Sequence, residues 1–133
     1  MNDQLGPDTP DREVVDLAHA LFDLARAGDA DRLAAYVDAG APVDLTDPAG
    51  NTLLMLAAYH GHPGAVDELA RRGGDVDRLN DRGQSPLAGA VFKGESEVVD
   101  VLLRHGASPD AGQPTARETA AMFGREDLLA REA

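Results

Sequence analysis

Residues 83–107 read GQSPLAGAVFKGESEVVDVLLRHGA, and residues 50–74, which lie 33 positions earlier, read GNTLLMLAAYHGHPGAVDELARRGG. Laid over one another, the two stretches align Leu87 with Leu54 and Ala90 with Ala57. The same 33-residue spacing relates two sets of glycines, which are Gly28, Gly61 and Gly94, and Gly40, Gly73 and Gly106. A fixed period of this length predicts a stack of copies of one supersecondary unit, each burying its apolar face against its neighbours.

Each copy carries the signals of two short helices joined by a tight turn. Thr52 and Ser85 stand where a hydroxyl can cap the first helix, and Pro86 occupies the first helical position, where its missing N–H costs nothing. Apolar residues then recur at helical spacing, and the second set of glycines suits the left-handed position that follows a helix. No strand pattern is visible, so the chain is predicted to be all-α.

The repeated phrase resembles the ankyrin repeat. The family's phrase is Gly, any residue, Thr-Pro-Leu, two residues and Ala, then Gly-His and later Gly-Ala. It is matched by Gly83-Gln84-Ser85-Pro86-Leu87 with Ala90, by Gly61-His62 and by Gly106-Ala107. A last copy starts at Thr115, whose spacing from Glu118 is that of a capping box. The resemblance covers about residues 11–133 and implies an ankyrin-repeat solenoid of about four stacked helix-turn-helix repeats with short extended or hairpin loops.

The period divides the chain into a leader and one domain of four repeats. We expect a disordered leader over residues 1–8 and a single ankyrin-repeat domain over residues 9–133. Gly124 follows Gly94 by only 30 residues, which predicts a shortened last repeat. The predicted repeats are an N-terminal cap over 9–46, full repeats over 47–79 and 80–112, and a C-terminal cap over 113–133.

The two capping repeats carry three more specific expectations. Residues 10–26 are predicted as one long helix, capped by Thr9, with Val14 on its apolar stripe. Tyr36 aligns with leucines of the next two repeats and is therefore expected in the core. Arg125 and Glu126 are expected on a polar outer face of the final helix.

The chain is acidic, with 24 Asp and Glu against 12 Lys and Arg and a net charge of −12. This charge repels phosphate, so we expect no nucleic-acid partner and no binding to an anionic membrane. Residues 11–46 hold eight acids against three arginines, so a basic surface on a protein partner would be steered toward the N-terminal repeat. Simple solubility is the alternative explanation of the charge.

Composition also bears on the cellular compartment. The chain has no cysteine, which excludes disulfides and thiolate chemistry. It contains neither a basic start followed by an apolar core nor an apolar run long enough to span a membrane. We therefore expect a cytoplasmic protein, and the bias toward Ala, Arg, Asp and Gly is typical of a GC-rich bacterial genome.

The sequence offers no catalytic centre. Ser85 and Ser96 fall at helix starts and Ser108 falls in a repeat loop, so each serine already has a structural role. His60 and His62 could in principle hold a metal ion with a third ligand, but His62 occupies the Gly-His turn position, where a helix-start role is usual. We predict a protein that is not an enzyme and has no cofactor, no metal and no catalytic residue.

Candidate binding residues follow from the resemblance. In ankyrin repeats, partners contact the loop tips and the exposed residues near the end of each first helix, which together line a concave face. Carried onto this chain, these positions are Pro48, Asn51, Asp81, Arg82 and Gln84 at the tips, and Arg26, Tyr59, His60, Phe92, Lys93, Met122 and Phe123 at the helix ends. The alternative for Phe92 and Phe123 is ordinary packing between repeats.

The predicted function is protein binding by a rigid concave surface. An adaptor, an inhibitor or immunity-type protein, and an accessory subunit of an enzyme all fit this description. We expect a monomer rather than an oligomer. The alternatives are a self-associating structural unit and a small-molecule or metal-binding protein that uses the His60 and His62 neighbourhood.

Overall fold

The computed structural model describes residues 12–130. The predicted leader, the cap at Thr9 and the outer limits of the first and last repeats lie outside the described residues. Within residues 12–130 the regular structure is a series of eight helices, which confirms the all-α prediction. These are α1 (Arg12–Ala27), α2 (Ala30–Asp38), α3 (Leu53–Tyr59), α4 (Pro63–Arg71), α5 (Pro86–Lys93), α6 (Ser96–Arg104), α7 (Ala116–Phe123) and α8 (Glu126–Ala130).

The caps that begin α3, α5 and α7 form as the sequence predicts. Thr52 Oγ1 and Ser85 Oγ each accept a hydrogen bond from the amide three residues further on, at 3.0 and 3.1 Å. Thr115 and Glu118 make both bonds of a capping box, at 3.0 and 2.8 Å. Each bond satisfies an amide that the first turn of a helix leaves unpaired, so these polar residues determine where the helices start.

The helices pack in two layers. Helices α1, α3, α5 and α7 lie side by side in the first-helix layer, and α2, α4, α6 and α8 lie side by side in the second-helix layer. Between the layers runs a continuous core, in which leucines at equivalent positions of successive repeats are fully buried: Leu21, Leu54 and Leu87 in the first-helix layer, and Leu69 and Leu102 in the second. Burial of each such side chain contributes about 1.5–3 kcal/mol.

The loops between repeats are built on turns that polar side chains hold. Asp47 Oδ1 accepts hydrogen bonds from two loop amides at 3.0 and 2.9 Å, and Asn80 Oδ1, at the equivalent position of the next loop, accepts two at 3.0 Å. Thr46 and Thr52 face each other in an isolated antiparallel bridge, which no described residue extends into a ladder. The loops are therefore tight hairpin-like turns without a sheet.

Two predictions about the first repeat are wrong, because Tyr36 is 39% exposed and Val14 is 62% exposed. Leu69 and Leu102, with which Tyr36 aligns, are buried because their repeats have a neighbour on each side, whereas the first repeat has a neighbour on one side only. Val14 lies near the start of α1, which has 16 residues against 7 in α3. The first turns of α1 therefore extend beyond the helix on which α1 packs.

Candidate functional site

The ends of the first helices bring the predicted binding residues into one row. We call the helix-end row Arg26 of α1, Tyr59 and His60 at the end of α3, Phe92 and Lys93 of α5, and Met122 and Phe123 of α7. All seven residues are exposed, and the exposed fractions of the four large apolar ones run from 42% for Tyr59 to 66% for Met122. The row is continuous because the four helices that carry it lie side by side.

Tyr59 lies at the centre of one cluster in this row. Lys93 Nζ is 4.5 Å from the centroid of the Tyr59 ring, within cation–π distance. The His60 ring meets the same ring edge-on, with centroids 5.6 Å apart and an interplanar angle of 85°. The ring lies against α5, since a Cβ at Gly89 would stand 3.7 Å from Tyr59 Cδ1, at ordinary van der Waals distance. The ring is thus held between α3 and α5.

Phe92 and Phe123 form a second cluster. Their rings make an edge-to-face contact, with centroids 5.3 Å apart and an interplanar angle of 78°, and each ring stays about half exposed. Arg125 lies against it: its Cζ is 5.6 Å from the Phe123 centroid, and its Nη1 donates to the carbonyl oxygens of Val91, at 3.1 Å, and Phe92. Arg125 therefore joins the last two repeats, although the sequence suggested only a polar outer face.

His62 makes the corresponding junction between the first two repeats. Its Nε2 lies 2.7 Å from the carbonyl oxygen of Arg26, and its ring fills the space beside Gly28. Glu95 and Arg125 hold the equivalent place, beside Gly61 and Gly94. Sequence reasoning missed this series because a histidine, a glutamate and an arginine share no chemistry. The available signal was that each of the three directly follows the glycine after the first helix of its own repeat, which is Gly61, Gly94 or Gly124.

The electrostatics of the row depart from those of the whole chain. Partial burial lowers the pKa of the His60 imidazole below its usual value, and the nearby Lys93, Arg26 and His62 lower that pKa further. His60 is consequently neutral at pH 7, while Lys93 and Arg26 carry positive charge beside it.

The predicted loop-tip residues form a separate group. Asn80 Nδ2 donates to Asn51 Oδ1 at 2.9 Å and to Gln84 Oε1 at 2.8 Å, so these amides already hold adjacent loops together. Pro48, Asp81 and Arg82 are exposed. Among residues 12–130, no hydrogen bond or ring contact joins the loop tips to the helix-end row.

In the part of the chain that the structure describes, no group of three or more His, Cys, Asp or Glu side chains is placed to hold a metal ion. A cleft of about 590 Å³ lies between α4 and α6 and is lined in part by Asp67, Glu97 and Arg104, but it shares no residue with the helix-end row or the loop tips.

None of the helices between residues 12 and 130 is long and apolar enough to cross a bilayer.

Comparison with known proteins identifies the repeat. A family model of ankyrin repeats, in three copies, matches residues 21–113. The chain belongs to the ankyrin repeat family. An ankyrin repeat protein of Pseudomonas aeruginosa is 46% identical over 56 residues, which are 42% of this chain and 33% of that protein. Ankyrin repeat domain-containing protein 29 of Homo sapiens is 44% identical over 62 residues, which are 46% of this chain and 21% of that protein.

The ankyrin assignment confirms the predicted family and fold. Ankyrin repeats are generally protein–protein interaction modules, and the family is typically non-catalytic. The family match ends at residue 113, and the structure adds a further helix pair, α7 and α8, beyond it. The chain matches about a third of the bacterial relative's length and about a fifth of the human one's.

Proposed function

We propose that this ankyrin repeat protein is a non-catalytic module that binds a protein partner across the helix-end row. One observation carries the proposal: of the eight large apolar side chains that are exposed in residues 12–130, four lie in this row, namely Tyr59, Phe92, Met122 and Phe123. Apolar side chains gathered on one surface are typical of an interaction site, and aromatic residues beside a cation are typical of binding hot spots.

The mechanism we propose is preorganisation. Lys93 lies over Tyr59, and Phe92 packs on Phe123, so three of the four large side chains are restrained before a partner arrives. A partner that docks on restrained side chains loses less conformational entropy than one that must order them. The row would thus supply affinity, while the exposed loop tips and the acidic first repeat would orient a basic rim of the partner.

The biological role that fits this mechanism is binding without chemistry. An adaptor, an inhibitor or immunity-type protein, or an accessory subunit of an enzyme would each use a surface of this kind. We further propose that the protein acts in the cytoplasm as a monomer with four repeats, over residues 9–46, 47–79, 80–112 and 113–133.

A capture experiment followed by a binding measurement tests this function. The partner is first captured from a lysate of the cells that make the protein, and its affinity is then measured by calorimetry for the wild type and for a Tyr59→Ala, Phe92→Ala double variant. We expect the double variant to lose at least about 2 kcal/mol of binding free energy, roughly thirtyfold in affinity. Tyr36→Ala is the matched control, because Tyr36 is as exposed as Tyr59 but lies in the second-helix layer.

Equal affinity of the wild type and the double variant would refute the proposal. Self-association is the second candidate function, because Met122 of the last repeat is 66% exposed. A mass that rises with protein concentration in the wild type, and not in a Met122→Ala variant, would support self-association and replace the single-partner function.

A further inference from the structure

Positive charge lies close to Tyr59 and to the adjacent His60, although the chain as a whole carries a net charge of −12. Lys93 lies over the Tyr59 ring, and the charges of Lys93, Arg26 and His62 all act on His60. Within residues 12–130, no carboxylate oxygen lies within 4.0 Å of Lys93 Nζ. We call Arg26, Tyr59, His60 and Lys93 the cation–aromatic cluster.

The helices that carry this cluster supply few opposing charges. Neither α3, with the sequence LLMLAAY, nor α5, with the sequence PLAGAVFK, contains an acidic residue. From α1, Asp23 forms an ion pair with Arg26 at 3.0 Å. From the start of the third repeat's second helix, the carboxylate of Glu95 lies beside Gly61. Of the two cations in the cluster, Arg26 is therefore already paired with a carboxylate, and the ammonium of Lys93 is available to a ligand.

We propose that the cation–aromatic cluster binds an acidic segment of the protein partner, with a carboxylate of that segment on Lys93 and its apolar atoms on Tyr59. This inference rests on the proposed function, because it places the partner on the helix-end row. A carboxylate on Lys93 would complete a charge pair at a site where one face of the ammonium already contacts an aromatic ring.

The net charge of the chain does not prevent this binding. At physiological ionic strength the Debye length is about 8 Å, so exposed acids farther away than this are largely screened while the adjacent cations are not. A protein segment is favoured over a nucleic acid because the cluster holds only two permanent cations, of which Arg26 is already paired, whereas a nucleic-acid site neutralises about 6–10 phosphates.

A peptide titration followed by NMR tests the inference. The probe is a hexaglutamate peptide with both ends capped, and hexaglutamine with the same caps is its neutral counterpart. We expect hexaglutamate to bind with a Kd of about 1 mM or tighter at physiological ionic strength, where the distant acids of the chain are screened, and to shift the His60 ring proton. A carboxylate next to His60 raises its pKa, so binding should strengthen as the pH falls from about 7 toward about 5.5.

Lys93→Gln should weaken hexaglutamate binding by about twofold to fivefold. Arg104→Gln is the matched control, because Arg104 is exposed, lies in the second-helix layer and gives the same change in net charge when replaced. We expect this control to bind hexaglutamate as the wild type does. Circular dichroism of both variants checks that they are folded.

Three results would overturn the inference: no saturable binding of hexaglutamate, equal affinity for hexaglutamine, or an equal effect of Lys93→Gln and Arg104→Gln. The proposed function fails separately. A captured partner that is lost by the Tyr59→Ala, Phe92→Ala variant but binds Lys93→Gln as tightly as wild type would leave the function standing and overturn the acidic segment alone. A partner that the double variant binds normally would overturn both.

Discussion

Replacing Gly28 with alanine tests how successive repeats are joined. Gly28 has a φ of +75°, and a Cβ at this position would lie 2.4 Å from the His62 ring, whose Nε2 is 2.7 Å from the Arg26 carbonyl oxygen. Gly94 is the equivalent residue of the third repeat, with a φ of +71°, but its nearest neighbour is the flexible end of Arg125 at 3.6 Å. Both substitutions place an alanine in the left-handed region, at a cost of about 1–2 kcal/mol. Only Gly28→Ala also displaces a neighbouring ring.

The additional cost at Gly28 has two sources. Crowding of a packed side chain costs about 1–3 kcal/mol, and loss of the His62 hydrogen bond costs about 0.5–1.5 kcal/mol. We therefore expect Gly28→Ala to lower the free energy of unfolding by about 2.5–6.5 kcal/mol and Gly94→Ala by about 1–2 kcal/mol. Urea denaturation followed by circular dichroism measures both values.

A double-mutant cycle then locates the additional cost. In a His62→Ala background the ring is gone and only the Cβ of residue 62 remains, 2.9 Å from the new Cβ, so the additional cost of Gly28→Ala over Gly94→Ala should fall. If Gly28→Ala and Gly94→Ala were equally destabilising, or if the additional cost persisted in full in the His62→Ala background, the proposed junction between repeats would be wrong.

Three further predictions concern the core, the helix-end row and acid stability. Leu87→Ala should lower the free energy of unfolding by about 2–5 kcal/mol in urea denaturation, because Leu87 is fully buried between the layers. Gly89→Ala should raise the free energy of unfolding by about 0.5–1 kcal/mol, and with it the melting temperature, because alanine is favoured over glycine inside a helix. The new Cβ would stand 3.7 Å from Tyr59, at ordinary van der Waals distance. The hydrogen bond from His105 lowers the pKa of Asp67, so the stability that Asp67 adds is complete above its unfolded pKa of about 3.9 and is lost as the pH falls through the lower folded value. The urea midpoints of the wild type and Asp67→Asn should therefore begin to converge as the pH falls below about 4, and should meet once the pH is below the folded pKa of Asp67.

Much of the fold could be predicted from the sequence because local signals and the period agree. Thr52 and Ser85 cap their helices through bonds to residues three positions away, so short-range chemistry determines them. Leu54 and Leu87 are buried, as is Leu21 at the equivalent position of the first repeat, because all three lie in the core between the two layers. The repeat period treats all copies as equivalent, although the first repeat has a neighbour on one side only. It therefore wrongly predicted that Tyr36 is buried.

The position of the candidate site was predictable, and its contacts were not. The period places Tyr59 and Phe92 at equivalent ends of first helices, and a sequence alone can give that much. That Lys93 lies over Tyr59, and that Arg125 reaches back to the carbonyl oxygen of Phe92, depends on the distance between packed repeats and on side-chain rotamers. These contacts join residues about one repeat apart, and no local pattern marks them.

Photo-crosslinking from the two matched tyrosines tests the central claim most directly. A benzophenone amino acid is placed at position 59, in the helix-end row, or at position 36, in the second-helix layer, and each protein is irradiated with its captured partner. Tyr59 and Tyr36 are 42% and 39% exposed, so the two probes reach solvent equally well. The account predicts a crosslinked partner from position 59 and none from position 36. Crosslinking from position 36 alone would place the binding surface on the second-helix layer and contradict the account.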